Sequence, residues 1–471
     1  MLFHDSPGPI ARSSLRDLAH AVFWLDDARR PDALPALSAD AAADLLVIGG
    51  GFTGLWTALQ AKLADPSRSV ILLEGGRIAD GASGRNGGFM SHSLTHGTVN
   101  GADRWPDEMA TLVRMGHENL DEIEAIVRAF GIDCGLRRAG ELTVAVQEHQ
   151  LDELAESVDL ARAYGDHARL LTPEQVRARV DSPASLGGMV DPDVALVNPA
   201  RLAWGLRSAC LALGVRIHET SPVRDLVDAG HRVVAFTADA SVTARHLAVA
   251  TNAFPPLIER MSRYIVPVYD YVLVTEPLSD EQWASIGWSG REGVSDAGNQ
   301  FHYYRPTDDG RILWGGYDAI YHRDKGFDPE YEFDDEAFGR LAEHFFQTFP
   351  QLTGLRFTHG WGGAIDTCSR FAPFWGTTHE GKTAYVAGFT GLGVGSSRFA
   401  ARVMLDLLDG VESERTALEM VRSKPVPFPP EPFRSLGINW TTKSLQSADR
   451  HEGRWNLWLR TLDRLGMGFD S

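Results

Sequence analysis

The stretch that decides the fold is residues 44–74, which read DLLVIGGGFTGLWTALQAKLADPSRSVILLE. LLVI is a short apolar run of the buried-strand type, LWTALQAKLA continues with helical periodicity, and SVILL is a second apolar run. The glycines therefore lie in a turn between a strand and a helix. This order of strand, turn, helix and strand predicts a unit that binds a dinucleotide.

Three glycines of this turn, Gly49, Gly51 and Gly54, match the pattern G-x-G-x-x-G. The first allows a tight turn, the second lets a pyrophosphate approach the backbone, and the third lets helix and strand pack closely. The phosphates would then meet the unpaired N–H groups at the helix N-terminus. Glu74 lies 20 residues beyond Gly54, where an acidic side chain can accept hydrogen bonds from ribose hydroxyls. The pattern alone does not distinguish FAD from NAD.

A second glycine-rich stretch, GASGRNGG at residues 81–88, follows soon after Glu74. Its small residues permit the close approach of backbone to a ligand. Arg85 and Asn86 can donate hydrogen bonds to such a ligand, and we favour this over a plain flexible loop. A nicotinamide enzyme has little need of a second glycine-rich wall at this point, so the loop favours FAD.

A third glycine-rich turn lies in YVAGFTGLGVGSSRFAARVMLDLL, residues 385–408. It reads as a strand, a turn and an amphipathic helix. An elongated dinucleotide held near both of its ends would require a second turn of this kind, and an ordinary strand-to-helix turn is the alternative.

Composition excludes several classes of protein. The chain has 471 residues and a formal net charge of -18, so nucleic acid is not an expected partner. Its three cysteines, Cys134, Cys210 and Cys368, lack paired metal spacing, and we expect a cytoplasmic protein without a disulfide framework and without a metal site. We recognise neither a secretory signal nor an apolar run long enough to span a membrane.

The run LLE followed by GASGRNGG resembles the D-amino acid oxidase and glycine oxidase superfamily of FAD enzymes, in its branch similar to gamma-glutamylputrescine oxidases. The resemblance covers roughly residues 20–425. It implies an α/β (α+β) fold, with a Rossmann-like FAD-binding domain and a discontinuous antiparallel-sheet substrate domain. The implied FAD-binding domain is residues 40–135, 186–260 and 359–425, and the substrate domain is 136–185 and 261–358. An N-terminal arm, 1–39, and a C-terminal tail, 426–471, remain.

The resemblance also implies which residues contact the cofactor. Val223 would contact adenine, Ala250 and Thr251 would lie near the cofactor, and the turn after residue 388 would lie along the pyrimidine end of the flavin. The full expected set is Gly49, Gly51, Phe52, Thr53, Gly54, Glu74, Gly75, Arg77, Gly81, Ala82, Ser83, Arg85, Asn86, Gly87, Gly88, Val223, Ala250, Thr251, Trp361, Gly363, Gly391, Leu392, Gly393 and Val394.

Departures from the superfamily are also informative. Its amino-acid oxidases hold the substrate carboxylate with an arginine four positions after the tryptophan of a W-x-G motif, and here that position is Ile365. An apolar residue cannot neutralise a buried carboxylate, so an amine is the expected substrate. Asp366 could attract its ammonium group, or it could order the adjacent loop.

Two further departures concern the flavin and its oxidation. Some relatives attach FAD covalently through residues that correspond to Arg85 and Ala364, so we expect non-covalent FAD here. The lysine that assists oxygen reduction in monomeric sarcosine oxidases corresponds to Leu313. Oxygen is the expected acceptor, and a dehydrogenase with another acceptor stays open.

The expected reaction is oxidation of a primary or secondary amine to an imine, which water hydrolyses to an aldehyde. His302, Tyr303 and Tyr304 alternate along a predicted strand, so one face should point at the site, with aromatic packing as the alternative. We assign orientation of the amine to Tyr304, His302 and Asp366. An FAD-binding subunit of a larger complex is the second hypothesis.

The tail contains a proline-rich run and then RWNLWLRTLDRLG, which reads as an amphipathic helix. We expect this helix to pack back on the body or on another subunit, which would make a homo-oligomer.

Overall fold

The computed structural model describes residues 3–323, 327–465 and 467. Its strands are β1 (Ala19–His20), β2 (Ala41–Ile48), β3 (Val70–Leu73), β4 (Phe89–Met90), β5 (Glu141–Ala145), β6 (Arg169–Leu171), β7 (Gly187–Asp191), β8 (Ala195–Leu196), β9 (Arg216–His218), β10 (Asp225–Asp228), β11 (Val233–Phe236), β12 (Ser241–Val249), β13 (Val266–Thr275), β14 (Gly293–Asp296), β15 (His302–Pro306), β16 (Ile312–Gly316), β17 (Phe357–Thr367), β18 (Phe374–Thr378) and β19 (Thr383–Ala387).

The α-helices are α1 (Pro9–Ser14), α2 (Phe52–Ala64), α3 (Thr98–Arg104), α4 (Met109–Ala129), α5 (His149–Ala163), α6 (Pro173–Arg177), α7 (Pro199–Ala212), α8 (Asp280–Ile286), α9 (Asp335–Thr348), α10 (Gly393–Asp409), α11 (Glu414–Ala417), α12 (Glu419–Arg422), α13 (Phe433–Arg450) and α14 (Leu457–Arg464). Short 3₁₀ helices span Ala82–Gly84, Glu259–Arg263, Pro329–Glu332 and Pro350–Leu352. No described helix is both long enough and apolar enough to cross a lipid bilayer.

The first sheet is the dinucleotide-binding one, in the order β10-β11-β12-β2-β3-β9, with β19 beside β12 and β18 beside β19. Strands β9, β3, β2, β12 and β19 are mutually parallel, and β10, β11 and β18 add antiparallel edges. Helices α2, α7 and α10 pack over one of its faces around a core that includes Leu55, Trp56 and Phe399. The predicted strand, turn, helix and strand of residues 44–74 are confirmed.

The second sheet has nine strands in the order β1-β17-β13-β16-β15-β14-β5-β7-β6. Most pairs are antiparallel, as expected for a substrate domain, and the β1–β17 and β14–β5 pairs are parallel. One face packs on α9 through an aromatic core that includes Trp314, Phe345 and Phe349. The other face meets the dinucleotide-binding domain, where Val272 and Trp361 join its core.

Three segments lie in a different sheet from the one expected. Strands β7 and β17 belong to the nine-stranded sheet, although residues 186–260 and 359–425 were expected in the dinucleotide-binding domain. Strand β1 of the expected N-terminal arm also pairs with β17. Strand β17 contacts both domains, because it pairs with β13 while Trp361 on one of its faces packs against the first domain.

The C-terminal tail contains two helices, of which α13 contacts the body and α14 packs on α13. Asp449 near the end of α13 accepts hydrogen bonds from the backbone N–H groups of Asn299 and Gln300, both at 3.1 Å. The predicted helix appears as α14, whereas α13, between the proline-rich run and α14, was not predicted. Apolar side chains of α13 remain exposed, including Phe433 and Trp440.

The substrate-domain core predicts the effect of a truncation in α9. Phe345 is fully buried, and its ring makes an edge contact with Trp314 at a centroid distance of 5.6 Å. We expect Phe345→Ala to lower the free energy of unfolding by about 3–5 kcal/mol, because it leaves a cavity in a packed core. Urea unfolding followed by fluorescence measures this. Phe433→Ala is the control, since that side chain is 66% exposed, and an equal loss in both variants would contradict the account.

Candidate active site

The turn between β2 and α2 has a backbone that only glycine accommodates at two positions. Gly49 has φ +107°, and a Cβ atom there would lie 2.3 Å from the carbonyl oxygen of Ala250. A Cβ at Gly54 would lie 1.9 Å from the oxygen of Gly49. The third glycine therefore lets the first turn of α2 pack directly on the loop. The N–H of Phe52, in that first turn, donates to Ser83 Oγ at 2.9 Å, which joins the turn to the second glycine-rich stretch.

Glu74 lies directly after β3 with its carboxylate turned toward the glycine turn. It accepts hydrogen bonds from the N–H groups of Gly50 at 2.6 Å and Gly76 at 2.7 Å. Burial raises the pKa of Glu74, and these two N–H groups lower it. A carboxylate at this place can accept hydrogen bonds from the two hydroxyls of a ribose. The strand ends that carry Gly49, Glu74 and Ala250 lie at one edge of the parallel sheet.

The loop at 81–88 is held by side chains that reach it from the nine-stranded sheet and from the N-terminal arm. Trp361 Nε1 donates to the carbonyl of Arg85 at 2.9 Å, and Trp24 Nε1 donates to the carbonyl of Asn86 at 2.9 Å. Arg305 Nη1 donates to the carbonyl of Gly88 at 3.0 Å. These three contacts fix the path of a stretch that has few large side chains of its own.

Arg85 and Asn86 use their polar groups within the protein rather than leaving them free for a ligand. Arg85 Nη1 pairs with Glu332 Oε2 at 2.6 Å, and its Nε donates to the carbonyl of Asp80 at 2.6 Å. Asn86 Nδ2 donates to the carbonyl of Ala82 at 2.9 Å, and its Oδ1 accepts from the N–H of Gly88 at 2.8 Å. The expectation that these side chains donate to a ligand differs from this geometry, because they order the loop itself.

The turn at 388–393 lies against the carboxylate of Asp366, which belongs to β17. Asp366 Oδ2 accepts from the N–H of Gly388 at 2.6 Å. Burial raises its pKa to about 6, while N–H groups of the turn lower it. The carboxylate therefore orders this turn, which is the alternative that the sequence left open. Gly391 has φ +97°, and a methyl group there would meet no described atom within 4 Å, so the space beside Gly391, just before α10, is open.

The other residues of the expected cofactor set lie around the same sheet edge. Thr251 Oγ1 is buried and has no hydrogen-bond partner among the described residues, which fits a group that meets a ligand. Val223 is partly buried against the core beside β3. Arg77 Nη2 donates to the carbonyl of Pro31 in the N-terminal arm. The glycine turns, Glu74 and Thr251 together fit an extended diphosphate cofactor held at several points.

One face of the nine-stranded sheet lies against the loop at 81–88 and carries a carboxylate. Tyr303 packs on Gly87 of that loop and makes an edge contact with Phe89 at 5.9 Å. Its hydroxyl donates to Asp270 Oδ2 at 2.6 Å. Burial raises the pKa of Asp270 to about 7, although the hydrogen bond from Tyr303 lowers it. Sequence reasoning missed Asp270, whose only signal is a single acid within the apolar strand YDYVLV.

His302 and Tyr304 lie on the opposite face of the same strand, and this corrects their assignment as residues that orient a substrate. Tyr304 packs among Trp288, Trp314 and Phe349 in the core under α9. His302 is fully buried, and its ring nitrogens contact Asp296 at 2.6 Å and His344 at 2.9 Å. The side chains of β15 do alternate between two faces, but it is Tyr303 that lies on the face against the loop at 81–88.

The fold combines a parallel sheet, which carries a glycine-rich turn of the dinucleotide-binding type, with a mainly antiparallel sheet that packs against it. Residues 44–407 match the family model described as "DAO: FAD dependent oxidoreductase". The chain is 32% identical to the gamma-glutamylputrescine oxidoreductase of Escherichia coli (strain K12), over 80% of this chain and 86% of that protein.

Solved structures agree with this fold. Glycine oxidase from Geobacillus kaustophilus matches with a TM-score of 0.70 at 20% identity, over 82% of this chain and all of that one. L-proline dehydrogenase from P. horikoshii matches with a TM-score of 0.67 at 18% identity, over 81% of this chain and 96% of that one. The chain belongs to the family of FAD-dependent oxidoreductases described above, in its amine and amino-acid oxidase group, and FAD is its cofactor.

Glu74 provides a test of the cofactor site. We expect Glu74→Gln to weaken FAD binding by about 10-fold to 100-fold, because a charged hydrogen-bond acceptor is lost. Titration of the apoprotein with FAD, followed by flavin fluorescence, measures the dissociation constant. Glu412→Gln, on the exposed surface, is the matched control. Unchanged affinity in Glu74→Gln would contradict the role of this carboxylate.

Proposed function

We propose that this protein oxidises a primary or secondary amine to an imine, with non-covalently bound FAD as the hydride acceptor. The observation that carries the proposal is the Asp270–Tyr303 pair on the sheet face that lies against the loop at 81–88. A partly buried carboxylate such as that of Asp270 attracts an ammonium group and repels the carboxylate of an amino acid. Ile365 in place of an arginine gives further support, because this face then lacks a clamp for a substrate carboxylate.

The cations near this face have other partners. Arg305 is 2% exposed and donates to the carbonyls of Gly88 and Val197, at 3.0 Å and 2.8 Å. Burial lowers its pKa to about 9, so it stays charged at neutral pH. Arg85 is paired with Glu332. Both guanidinium groups therefore have partners within the protein. A substrate carboxylate would have to displace these partners, which favours an amine over an amino acid.

The protein holds its cofactor, in this proposal, through the expected set with the corrections above. The backbone at Gly51 and Gly54 would contact the pyrophosphate, Glu74 would contact a ribose, and the start of α10 would face the flavin end. The N–H of Gly49 donates to the carbonyl of Leu73 at 2.9 Å and so closes the turn. Cys368 supports non-covalent attachment, because burial raises the pKa of its thiol and Sγ donates to the carbonyl of Ala372 at 3.2 Å. Three buried free cysteines support a cytoplasmic location.

Bound FAD supplies the two-electron acceptor for the hydride that leaves the carbon next to nitrogen. Asp270 as a carboxylate binds the ammonium group of the incoming amine, and Tyr303 orients that carboxylate through its hydroxyl. The apolar Ile365 and the glycines of the loop leave room for the carbon chain. Loss of one proton to solvent and of the hydride from carbon converts the bound alkylammonium ion into a protonated imine. Water hydrolyses this imine to an aldehyde and releases the nitrogen as ammonium or, from a secondary amine, as an alkylammonium ion.

Gamma-glutamylputrescine is the first amine to test, because the E. coli relative is named for it. We expect this amine or a short alkylamine to bleach the flavin absorbance of the purified protein in the absence of oxygen, and glycine and D-alanine to leave it unchanged. Peroxide release and reduction of an artificial acceptor, run in parallel, distinguish an oxidase from a dehydrogenase. Leu313 is buried and apolar and stands where monomeric sarcosine oxidases have the lysine that assists oxygen reduction, so an electron acceptor other than oxygen stays open. A flavin that amino acids bleach and amines do not would contradict the proposal.

Asp270 should control both affinity for the amine and the pH profile. We expect Asp270→Asn to lower kcat/KM for an amine by about 10-fold to 100-fold, the loss of one charged hydrogen bond, with unchanged FAD content. Asp239→Asn, at an exposed turn, is the control.

The sign of the pH effect follows from the raised pKa. Asp270 keeps its proton up to about pH 7, so only above that pH does its carboxylate attract an ammonium ion, which an alkylamine still carries there. We expect kcat/KM to rise as the pH passes through about 7 in the wild type and to lose that step in Asp270→Asn. A step that persists in the variant would assign the titration to another group.

A further inference from the structure

Three histidines and three aspartates that are distant in sequence meet outside the site described above. His92 lies just after β4, His117 lies on α4, and Asp166 with His167 follows α5. Asp191 ends β7, and Asp193 lies in the turn after it. We call this group the His–Asp cluster. It joins segments of the dinucleotide-binding domain to segments of the substrate domain.

The two inner histidines point the same ring nitrogen at one carboxylate. His92 Nε2 lies 3.1 Å from Asp166 Oδ2, and His117 Nε2 lies 3.7 Å from Asp166 Oδ1. The two rings are stacked with their centroids 4.2 Å apart. One ligand atom from each of the three residues lies within 4.8 Å of the other two.

Two buried nitrogens of the cluster lack a hydrogen bond in the part of the chain that the structure describes. These are His117 Nε2 and His92 Nδ1, and the side chain of His92 is only 4% exposed. An unpaired buried polar atom is costly, so His117 Nε2 points to a missing partner on the side of Asp166, whereas His92 Nδ1 faces Asp191. The separation of 3.7 Å between His117 Nε2 and Asp166 is too long for a hydrogen bond. It is close to the separation of about 3.4 Å that two ligands have when each binds one zinc ion at about 2.1 Å in a tetrahedron.

The outer nitrogens of the same rings face two more carboxylates. His92 Nδ1 lies 3.6 Å from Asp191 Oδ2, and His117 Nδ1 lies 4.0 Å from Asp193 Oδ2. Metal-binding histidines usually donate their second ring N–H to a carboxylate, which fixes the ring and its tautomer. Asp193 also accepts from His167 Nδ1 at 2.6 Å and lies 4.0 Å from Arg138. Three carboxylates and three imidazole rings therefore meet in one small volume.

We propose that the His–Asp cluster binds one divalent transition-metal ion of the zinc type through His92, His117 and Asp166, with Asp191 and Asp193 orienting the two histidines. The ion joins α4 and the segment after β4 to the loop after α5, and so ties the two domains together. His92 lies four positions after Gly88, so the ion would also fix the chain that follows the loop at 81–88. The ligands are 25 and 49 positions apart, which explains why a search for short metal spacing found none. This inference does not depend on the proposed function.

The test uses the full-length protein with FAD bound, freed of metal by a chelator and titrated with Zn²⁺ in a calorimeter. We expect one ion per chain in the wild type and in His231→Gln, whose histidine lies in an exposed turn. We expect His117→Gln and Asp166→Asn each to weaken binding by about 10-fold or more, with flavin absorbance as the check of folding. One equivalent of Zn²⁺ should raise the melting temperature of the wild type by about 2–5 °C.

A measurement without variants keeps the proposal falsifiable if the substituted proteins do not fold. Diethyl pyrocarbonate modifies accessible imidazole nitrogens, and peptide mapping locates them. Zn²⁺ should protect His117 and leave the modification of His231 unchanged. A wild type that binds no Zn²⁺, or binds it equally well after the substitutions, or shows no protection of His117, would overturn the proposal and leave a hydrogen-bonded cluster.

Discussion

The arrangement of the site depends on three hydrogen bonds to the backbone of one short loop. Residues 81–88 are mostly glycine, alanine and serine, so they cannot fix their own path through packing. Trp361 and Arg305 of the nine-stranded sheet and Trp24 of the N-terminal arm each donate to a carbonyl of this loop. The same loop contacts the first turn of α2 through Ser83. A loop with few large side chains of its own is thereby held in a fixed position between the parallel sheet and the mainly antiparallel one.

Burial shapes the electrostatics on both sides of this boundary. Carboxyl groups on the two sides, Glu74, Asp366 and Asp270, all have pKa values raised by desolvation. Glu74 and Asp366 accept hydrogen bonds from backbone N–H groups, and these hydrogen bonds order the turns. Asp270 has a tyrosine hydroxyl as its partner. A phenol is easier to displace than the backbone of a turn, and for this reason Asp270 is the acid that we propose for binding an incoming ammonium group.

Local sequence predicted the dinucleotide-binding unit well, because its constraints are local. Gly49 and Gly54 need their backbone geometry within one turn, and Glu74 follows at the end of the next strand. The substrate side was harder, since alternation along HYYRP separates two faces without saying which one is packed on a helix. His302 and Tyr304 lie under α9, which comes about 30 positions later in the chain, so only the tertiary fold decides their role. The His–Asp cluster also depends on the tertiary fold, because its residues come from separate segments of the chain. The same is true of β17, because its glycines and tryptophan do not indicate which sheet it joins.

The central claim is that the flavin lies against the loop at 81–88 with the amine between it and the Asp270–Tyr303 pair. A crystal structure with FAD and a slowly oxidised amine analogue tests this most directly. The account predicts a flavin ring in contact with Gly87 and an amine nitrogen within hydrogen-bond distance of Asp270. A flavin bound elsewhere, or an amine whose nitrogen contacts neither Asp270 nor Tyr303, would contradict it.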